Sequence, residues 1–463
     1  MANLTQLRIA AREIFDEALR TIDPTAAIRA HLRVDGDSLR AREISTEIGK
    51  RTIYSIAIGK AAAKMATGLN QILGERLSSG VITTNDTRLK ANRLDNKWQI
   101  FYGGHPEPNE SSLAAAYAAF ELLDRANQEQ ALIIFLVSGG GSAMIESPAN
   151  GTISLDDLKA ANRLLVNCGA SISEINSVRC AFSAVKGGKL AARAPNCDQI
   201  TLIVSDVPEG EERNVASGPT VTPPDDAPNP QDVLARYHLR SELPANIVQA
   251  IEKARPLNST SDAMREHLVL LSNSDVLQAA AKAARQRGFI TEIASDISDQ
   301  PIEEGCDLLL GSLEMLRARH GNKSPNRLEA GLVPPVGTVA DSKLKRSVVC
   351  LISGGEFACP VHGSGIGGRN LESALRLTRS RNMISSNTVA LCAGTDGIDG
   401  NSPAAGAIVD NTTIDRATAI GLDVEDSLRR SDSYSFFVAL GDVIATGPTG
   451  TNLRDIRILL AAN

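Results

Sequence analysis

The sequence predicts an α/β protein with a doubly wound parallel sheet, followed by a second α/β unit. Apolar runs typical of strands buried on both faces alternate along the chain with helical segments. Two of these runs, at 131–137 and 348–352, lead directly into Ser-Gly-Gly. Aromatic residues make up only 3% of the chain, so aliphatic side chains dominate the expected core. Such a core suits parallel sheets that are covered by helices.

The first half of the chain shows a regular alternation of strands and helices. Strands are expected at 52–58, 80–84, 98–102, 131–137 and 199–204, and helices at about 111–126, 155–167 and 173–194. Strands joined by helices form parallel sheets through right-handed crossovers. Ligands of such sheets bind beyond the carboxyl ends of the strands, where we therefore expect the site.

A proline-rich segment at 219–230 interrupts this pattern, and a second α/β pattern follows it. Its strands are expected at 267–271, 289–294, 347–352, 388–392 and 456–460, and its helices at 275–287, 301–319 and about 370–381. We therefore predict two domains, residues 1–255 and residues 256–463.

Composition excludes several classes of protein. The formal net charge of −6 indicates no basic surface for nucleic acid or an anionic membrane. The seven cysteines include no C-x-x-C pair, which argues against a disulfide framework or a cysteine-based zinc site. Residues 1–20 predict an amphipathic helix without the apolar core of a signal peptide, and no apolar run is long enough to span a membrane. We expect a soluble, cytoplasmic protein with no nucleic-acid or membrane partner.

Two Ser-Gly-Gly loops are the first candidates for a binding site. Glycine lets backbone N–H groups approach a ligand closely, and such loops favour anions, phosphate above all. One loop alone would be interpreted as a tight turn, but the repetition favours phosphate binding. The candidate contacts are Ser138, Gly139, Gly140, Gly141 and Ser142 in the first loop, and Gly354, Gly355 and Glu356 in the second.

Lys60 stands at a strand–Gly-Lys–helix junction. A helix N-terminus and an adjacent lysine both attract an anion, although a solvated lysine at a turn is the alternative. His105 lies in a loop that leaves the carboxyl end of a predicted strand. It is expected to contact a carboxylate or hydroxyl group of the substrate, although a single histidine is more often structural.

Residues 363–368 match G-x-G-x-x-G. The dinucleotide version requires an acidic residue about twenty positions later, and residues 385–390 contain none. We therefore interpret Gly367 and Gly368 as parts of a phosphate-contacting loop. Arg369 is placed to clamp a phosphoryl group bidentately, and Asn370 is expected to cap the next helix.

Three aspartates follow predicted strands: Asp206, Asp396 and Asp399. Carboxylates at strand ends can hold Mg²⁺, which prefers one or two carboxylates together with substrate phosphates. Turns stabilised by the aspartate side chains, with no metal, are the alternative. Both roles stay open for Asp396 and Asp399.

Together these segments resemble the glycerate 2-kinase family with a MOFRL C-terminal domain. The matching stretches run in family order over nearly the whole chain: Ala57-Ile-Gly-Lys60; Gly104-His-Pro-Glu-Pro108; Val137-Ser-Gly-Gly-Gly-Ser-Ala143; Cys168-Gly-Ala-Ser-Ile-Ser-Glu-Ile-Asn-Ser-Val-Arg179; Lys186-Gly-Gly-Lys-Leu-Ala191; Ser205-Asp-Val-Pro208; Ala216-Ser-Gly-Pro-Thr220; Ser353-Gly-Gly-Glu356; Gly367-Gly-Arg-Asn370; Gly394-Thr-Asp-Gly-Ile-Asp-Gly400; Ala405-Gly-Ala-Ile-Val-Asp410; and Gly447-Pro-Thr-Gly-Thr-Asn452. The chain departs from the family pattern at Glu209-Gly-Glu211, where Gly-Asp is usual, and at Phe357-Ala-Cys359, where threonines are usual.

The resemblance implies ATP-dependent, Mg²⁺-assisted phosphorylation of D-glycerate to 2-phosphoglycerate. It also implies a Rossmann-like N-terminal domain, a mixed-sheet C-terminal domain with its MOFRL region at about 347–460, and an interdomain active-site cleft. The family's catalytic lysine and arginine fall on Lys60 and Arg369, to which we add Asp206. These residues, with His105 at the substrate and the two glycine loops at ATP, form the predicted site.

Two other functions stay open from the sequence. A hydroxypyruvate reductase would need a nicotinamide site, which the missing acid after G-x-G-x-x-G disfavours. A non-catalytic sugar-acid-binding protein would need fewer charged groups than this chain offers. The sequence leaves the oligomeric state open, with a homodimer as one option.

Overall fold

The computed structural model describes residues 4–87, 94, 96–255, 257, 262–321, 348–380, 383 and 387–462. The chain divides into two compact units. The first comprises residues 23–272 and 450–452, and the second comprises residues 1–22, 273–449 and 453–463. This division differs from the predicted boundary after residue 255 at both ends of the first unit.

The first unit begins with a helix and a small antiparallel sheet. Helix α2 (Pro24–His31) starts with proline in its first turn, and the Asp23 side chain caps it by accepting a hydrogen bond from Ala26 N at 2.8 Å. (Helix α1, Leu4–Thr21, belongs to the second unit.) The three strands of the small sheet pair in chain order: β1 (Leu32–Asp35), β2 (Ser38–Ala41) and β3 (Ile44–Glu47).

A six-stranded parallel sheet forms the centre of the first unit. Its strands are β4 (Ile53–Ile58), β5 (Leu77–Thr84), β6 (Trp98–Tyr102), β7 (Leu132–Ser138), β8 (Asp198–Val204) and β9 (Arg265–Leu271). The spatial order is β6-β5-β4-β7-β8-β9, and all neighbours are parallel. The order reverses between β4 and β7, as in the dinucleotide-binding arrangement of doubly wound sheets. The predicted fold class of this unit is therefore confirmed.

Helices cover this sheet and form a second cluster beside it. They are α3 (Ala62–Leu73), α4 (Glu110–Glu129), α5 (Gly141–Met144), α6 (Leu155–Asn167), α7 (Ile172–Phe182), α8 (Lys189–Ala192), α9 (Pro230–Arg236) and α10 (Ala245–Lys253). Alanines of α4 are buried with the apolar side chains of β4 and β7, because small residues let the helix lie close to the sheet. The continuous helix predicted at 173–194 is wrong. Helix α7 ends at Phe182, where Ser183 is extended, and Gly187 and Gly188 take positive φ values of 64° and 79° just before α8.

The strand predicted at 267–271 was assigned to the second domain, and this assignment is also wrong. Strand β9 pairs in parallel with β8, at the edge of the first sheet. Its sequence carries no information on which sheet it joins, because a parallel partner is chosen by distant residues.

The second unit contains a mixed six-stranded sheet, as predicted. Its elements are α1, α11 (Asn273–Gln286), β10 (Ile290–Ile293), α12 (Ile302–Gly321), β11 (Val348–Ser353), α13 (Arg369–Thr378), β12 (Thr388–Gly394), β13 (Gly406–Asp410), α14 (Thr413–Ala419), α15 (Val424–Arg429), α16 (Ser433–Leu440), β14 (Val443–Ile444) and β15 (Asp455–Ala462). The strand order is β10-β11-β15-β12-β13-β14. Only β10 and β11 are parallel neighbours, and the buried last strand β15 is inserted antiparallel between β11 and β12.

Helix α1 is part of the second unit although it opens the chain. Its buried apolar face packs among α11, β12 and β15. Arg8 pairs with Asp410 at 2.7 Å and also with Asp442. Within the described part of the chain, no helix is long and apolar enough to cross a membrane.

Candidate active site

The turns after β4 and β7 are joined to each other by hydrogen bonds. The backbone N of Lys60 donates to Gly139 O at 2.9 Å, and Ala61 N donates to Ser138 Oγ at 3.1 Å. The same Ser138 hydroxyl donates to Ile58 O at 2.9 Å. These two turns lie where the strand order reverses, which is the usual ligand position of an open parallel sheet. Because Ser138 is buried and used in these bonds, its side chain holds the loop in place.

Three predicted side chains converge on the glycines of this loop. A Cβ atom placed on Gly140, whose φ is 78°, would lie 3.2 Å from His105 Nε2 and 3.2 Å from Lys60 Cγ. A Cβ atom on Gly139 would lie 2.0 Å from Asp206 Oδ2. Only glycine therefore fits at Gly139, and its lack of a side chain lets the carboxylate approach the backbone. The structure thus brings Lys60, His105 and Asp206 to one loop.

The last residue of the loop, Ser142, has partners that the sequence did not identify. Its Oγ lies 2.8 Å from the Oγ of Ser217, which donates to Asn176 Oδ1 at 2.8 Å. Ser142 is half-buried, whereas Ser217 and Asn176 are buried. Ser217 and Asn176 both lie in stretches that match the family pattern, Ala216-Ser-Gly-Pro-Thr220 and 168–179, and this match is the signal that could have indicated them.

In the second unit, Arg369 is held by two carboxylates. Its Nε donates to Asp455 Oδ2 at 2.6 Å, and its Nη2 lies 2.6 Å from Glu356 Oε1. Burial opposes the charge of the guanidinium, but Asp455 and Glu356 hold the pKa of Arg369 above its usual value. Asp455 was not predicted as a site residue, because it precedes an apolar strand and lies 86 positions from Arg369.

Asp399 caps helix α13 from a different loop. Its Oδ1 accepts from Asn370 N at 3.0 Å, and its Oδ2 accepts from Leu371 N at 2.7 Å. Burial raises the pKa of Asp399 to about 7, the two backbone donors lower it, and nearby Asp455 raises it. Both carboxylate oxygens therefore stabilise a helix N-terminus, which favours a structural role for Asp399 over the predicted metal contact.

The predicted capping role of Asn370 is wrong. Gly368 occupies the N-cap position, and Asn370 lies inside the first turn with 1% of its surface exposed. The Nδ2 group of Asn370 donates to Asp455 Oδ1 at 2.8 Å and to Asp399 Oδ1 at 3.2 Å. Asn370 therefore links the helix to Asp399 and to Asp455, the second of which also binds Arg369.

Backbone N–H groups of the G-x-G-x-x-G loop bind within the protein. Gly365 N donates to Arg430 O at 3.0 Å, Ile366 N to Asp432 Oδ1 at 3.2 Å and Gly367 N to Asn401 Oδ1 at 2.8 Å. These donors hold the loop against neighbouring segments, and so they do not form the phosphate-facing nest expected of this loop.

The backbone N–H groups of the second Ser-Gly-Gly loop also bind within the protein. Gly355 N donates to Asn273 Oδ1 at 3.0 Å, and Glu356 N donates to Asp299 Oδ1 at 3.1 Å. A Cβ atom on Gly354 would lie 1.9 Å from Asn273 Oδ1, so this glycine accommodates a neighbouring side chain. The two loops are alike in sequence, but two donors of the second loop are bound by side chains of the protein.

Among the described residues, no group of three or more His, Cys, Asp or Glu side chains is arranged to hold a metal ion. Asp396 forms the predicted turn, in which its Oδ1 accepts from Ile398 N at 3.1 Å. Asp206 lies directly against the glycine loop. If this loop binds nucleotide phosphates as predicted, a single carboxylate beside it fits Mg²⁺ that is carried mainly by those phosphates.

Comparison with known proteins agrees with this architecture. Residues 10–252 match the family model described as a domain of unknown function (DUF4147), and residues 349–455 match the MOFRL family, close to the predicted 347–460. The chain is 34% identical to the glycerate 2-kinase of Pyrococcus horikoshii, over 96% of both chains. It is 32% identical to an Agrobacterium vitis protein provisionally named hydroxypyruvate reductase, over 99% of this chain and 95% of the relative.

A solved structure extends the similarity to the fold. The crystal structure of glycerate kinase from Thermotoga maritima matches with a TM-score of 0.76 and 29% identity, over 99% of this chain and 100% of that one. Sequence and fold similarity both extend over nearly the full length of the chain. The chain therefore belongs to the glycerate kinase family that carries a MOFRL domain.

Proposed function

We propose that this protein is a glycerate 2-kinase, which transfers the terminal phosphoryl group of ATP to the 2-hydroxyl of D-glycerate and releases 2-phosphoglycerate and ADP. The observation that carries the proposal is the convergence of Lys60, His105 and Asp206 on the Ser138–Ser142 glycine loop. This loop lies at the reversal of strand order in a chain that is similar to glycerate kinases from end to end.

Phosphoryl transfer depends on positioning and on stabilisation of charge that spreads over the phosphoryl oxygens. In the proposal, Lys60 stabilises this charge, and the backbone N–H groups around Gly140 orient the phosphates. The imidazole of His105 orients the carboxylate or a hydroxyl group of the acid. These roles use groups that the structure gathers at one loop.

Arg369 is the second proposed catalytic cation. Its guanidinium is fixed by Asp455 and Glu356, so it does not reorganise when charge develops on a bound phosphoryl group. Glu356 is thereby reassigned from a nucleotide contact to a residue that orients Arg369. Gly354, Gly368 and Asn370 stay predicted ATP contacts. Gly355 and Gly367, which we also predicted to bind ATP, use their N–H groups within the protein, so any contact they make with the nucleotide uses other atoms.

Mg²⁺ would be held chiefly by the phosphates of ATP and by Asp206, with Asp396 as the second candidate carboxylate. When bound, the ion neutralises phosphate charge. In the proposal, Asp206 also accepts the proton of the acceptor hydroxyl, which is the reason for its place in the catalytic set.

The alternative function is a hydroxypyruvate reductase, which the name of the A. vitis relative keeps open. It requires a nicotinamide site. The first βα turn of the parallel sheet is Ile58-Gly59-Lys60 and has no G-x-G-x-x-G. In the loop that has this pattern, the N–H groups of residues 365–367 donate within the protein. Both observations favour the kinase.

One assay separates these functions. Purified protein is supplied with D-glycerate, ATP and Mg²⁺ and followed for ADP, and a parallel sample receives hydroxypyruvate and NADH. We expect ADP release that depends on D-glycerate, with a product whose phosphorus resonance is that of 2-phosphoglycerate. NADH oxidation without ADP release would show that the protein is a reductase and not a kinase. Binding of D-glycerate with neither reaction would indicate a binding protein.

The metal role of Asp206 has its own test. Activity should vanish with EDTA and return with Mg²⁺. Asp206→Asn should raise the Mg²⁺ concentration needed for half-maximal rate, because the amide binds the ion more weakly than a carboxylate. Asp399→Asn serves as the comparison and should leave this concentration unchanged. An Mg²⁺ dependence that is identical in Asp206→Asn and the wild type would remove Asp206 from the metal site.

A further inference from the structure

Three side chains form a hydrogen-bonded chain that ends at the glycine loop. Ser217 Oγ donates to Asn176 Oδ1 at 2.8 Å and lies 2.8 Å from Ser142 Oγ. Asn176 and Ser217 are only 6% and 5% exposed, whereas Ser142 is half-buried. The chain therefore runs from two buried side chains to a more exposed serine of the loop.

The backbone at Ser217 adopts an unusual conformation to reach Ser142. Ala216, Ser217 and Gly218 have φ values of 54°, 60° and 61°, a region that residues other than glycine rarely occupy. Two bonds hold this segment: Gly187 N donates to Ser217 O at 3.1 Å, and Gly188 N donates to Gly218 O at 2.7 Å. Two consecutive residues with side chains in the left-handed region cost stability, and such strain concentrates at functional sites.

The order of donors along this chain determines what Ser142 can offer. Asn176 Oδ1 can only accept, so the single proton of Ser217 lies on that bond. Ser142 must then donate its own proton to Ser217, and its lone pairs remain for a ligand. A phosphate oxygen has no proton to give to these lone pairs. A hydroxyl group of a ligand has one.

We propose that Ser142 Oγ accepts a hydrogen bond from a hydroxyl group of a bound ligand, and that Ser217 is the positioning residue that sets this polarity. The inference rests on the proposed kinase function for its choice of ligands. It also changes the predicted role of Ser142 from a phosphate contact to recognition of a hydroxyl group. The hydroxyl has two sources, the three-carbon acid and the ribose of the nucleotide.

Three variants isolate this role. Ser142→Ala removes the acceptor, and Ser217→Gly removes the positioning hydroxyl while it relieves the left-handed backbone. Ala216→Gly is the matched control, because it relieves the same strain at the preceding residue and keeps the Ser217 hydroxyl. Thermal unfolding should show one cooperative transition for both variants, with Ser217→Gly the less stable because it leaves Asn176 Oδ1 without its donor. Binding is then compared well below both midpoints, so that a change in binding is not a failure to fold.

Binding of matched ligands is measured by titration calorimetry. For the acid, D-glycerate is compared with D-lactate, which lacks the 3-hydroxyl, and with 3-hydroxypropionate, which lacks the 2-hydroxyl. For the nucleotide, ATP is compared with its 2′-deoxy and 3′-deoxy forms. Ser142→Ala should lower the affinity for the ligand that carries the recognised hydroxyl about 3- to 10-fold, the effect of one neutral hydrogen bond. The affinity for the analogue without this hydroxyl should not change. Ser217→Gly should show part of the same selective loss, and Ala216→Gly none.

The pair of ligands that responds identifies the source of the hydroxyl. Equal losses for a ligand and for each of its deoxy analogues would overturn the proposal, as would unchanged affinities in Ser142→Ala. A selective loss in Ser142→Ala that is absent in Ser217→Gly would remove the positioning role of Ser217. A wild-type protein that binds these ligands but releases no ADP would refute the kinase, whereas the binding comparison would still decide the role of Ser142.

Discussion

At the scale of single residues, glycines determine which side chains reach the candidate site. Gly139 and Gly140 have no Cβ atoms, and Asp206, His105 and Lys60 occupy the space that those atoms would take. An alanine at Gly139 would collide with the Asp206 carboxylate. The absence of side chains in this loop is therefore what allows the three side chains to approach its backbone.

Lys60→Ala should lower kcat by about 10²–10³, the usual effect of removing one preorganised donor from a developing negative charge. Steady-state kinetics with D-glycerate and ATP measure the change. Lys64→Ala is the matched control and should leave kcat unchanged. Lys64 lies one turn further along the same helix, and its Nζ is 3.9 Å from Asp23 Oδ2. A kcat close to the wild-type value in Lys60→Ala would refute the catalytic role.

Arg369→Lys should also lower kcat severely, by roughly 10² or more. A lysine keeps the charge but cannot bind Asp455 and Glu356 through a planar fork, so the cation would no longer be fixed. Arg379→Lys, at the end of the same helix and 3.0 Å from Glu303, should leave kcat unchanged. Full activity in Arg369→Lys would show that only the charge at this position matters.

At the scale of elements, helix α13 depends on a cap from outside its own sequence. Its preceding residue is Gly368, which has no side chain to accept a hydrogen bond, and Asp399 supplies both acceptors. A Cβ atom on Gly368 would lie 2.4 Å from Asp399 Cγ, so the glycine is what allows the carboxylate to reach the helix. The helix that carries Arg369 is thus fastened to the loop between β12 and β13.

Burial raises the pKa of Asp399 from 3.8 to about 7, and this shift predicts a pH dependence of stability. Asp399 binds a proton more tightly in the folded state, so its contribution to stability is complete below about pH 4 and is lost as the pH rises to about 7. Asp399→Asn cannot titrate. The difference in thermal midpoint, variant minus wild type, should therefore increase between pH 4 and pH 7 and remain level above pH 7. A constant difference over this range would show that the carboxylate stays ionised in the folded protein.

At the scale of the whole molecule, the second unit is assembled from separate parts of the chain. Helix α1 buries Leu7, Ala11, Ile14, Phe15 and Ala18 in this unit, although 250 residues of the first unit, 23–272, separate it from α11. Its Arg8 completes a cluster with Asp410 and Asp442, both almost fully buried. The last strand, β15, is central in the sheet of the same unit.

A fragment of residues 273–463 should therefore fold poorly. Without α1 it exposes the apolar surface that five buried side chains cover, and each large aliphatic or aromatic side chain contributes about 1.5–3 kcal/mol. Circular dichroism and gel filtration should show lower stability and association. The same fragment with residues 1–22 joined to it through a flexible Gly/Ser linker should recover a cooperative transition. Equal stability of the two fragments would show that α1 is dispensable for this unit.

Local sequence was sufficient for elements whose signals lie within themselves. The apolar run before Ser138 is strand β7, and helix α6 has the bounds predicted for it, because its periodicity and its Ser154 capping box are local. The strand-to-loop junctions at Lys60 and at Gly139 were located for the same reason. Their convergence followed from the parallel alternation, which places such junctions at one edge of a sheet.

Only the tertiary structure showed which segments of the chain pair with each other. Residues 267–271 were predicted as a strand of the second domain, but β9 pairs with β8 in the first unit. Residues 1–20 predict an amphipathic helix without indicating which unit it covers. The two Ser-Gly-Gly loops are alike in sequence, yet Asn273 and Asp299 take the donors of the second one. Asp455 binds Arg369 in the second unit and Ser217 binds Ser142 in the first, across 86 and 75 positions of sequence. Hydrogen bonds between distant segments leave no periodicity in the sequence, and so these contacts appear only when the chain is folded.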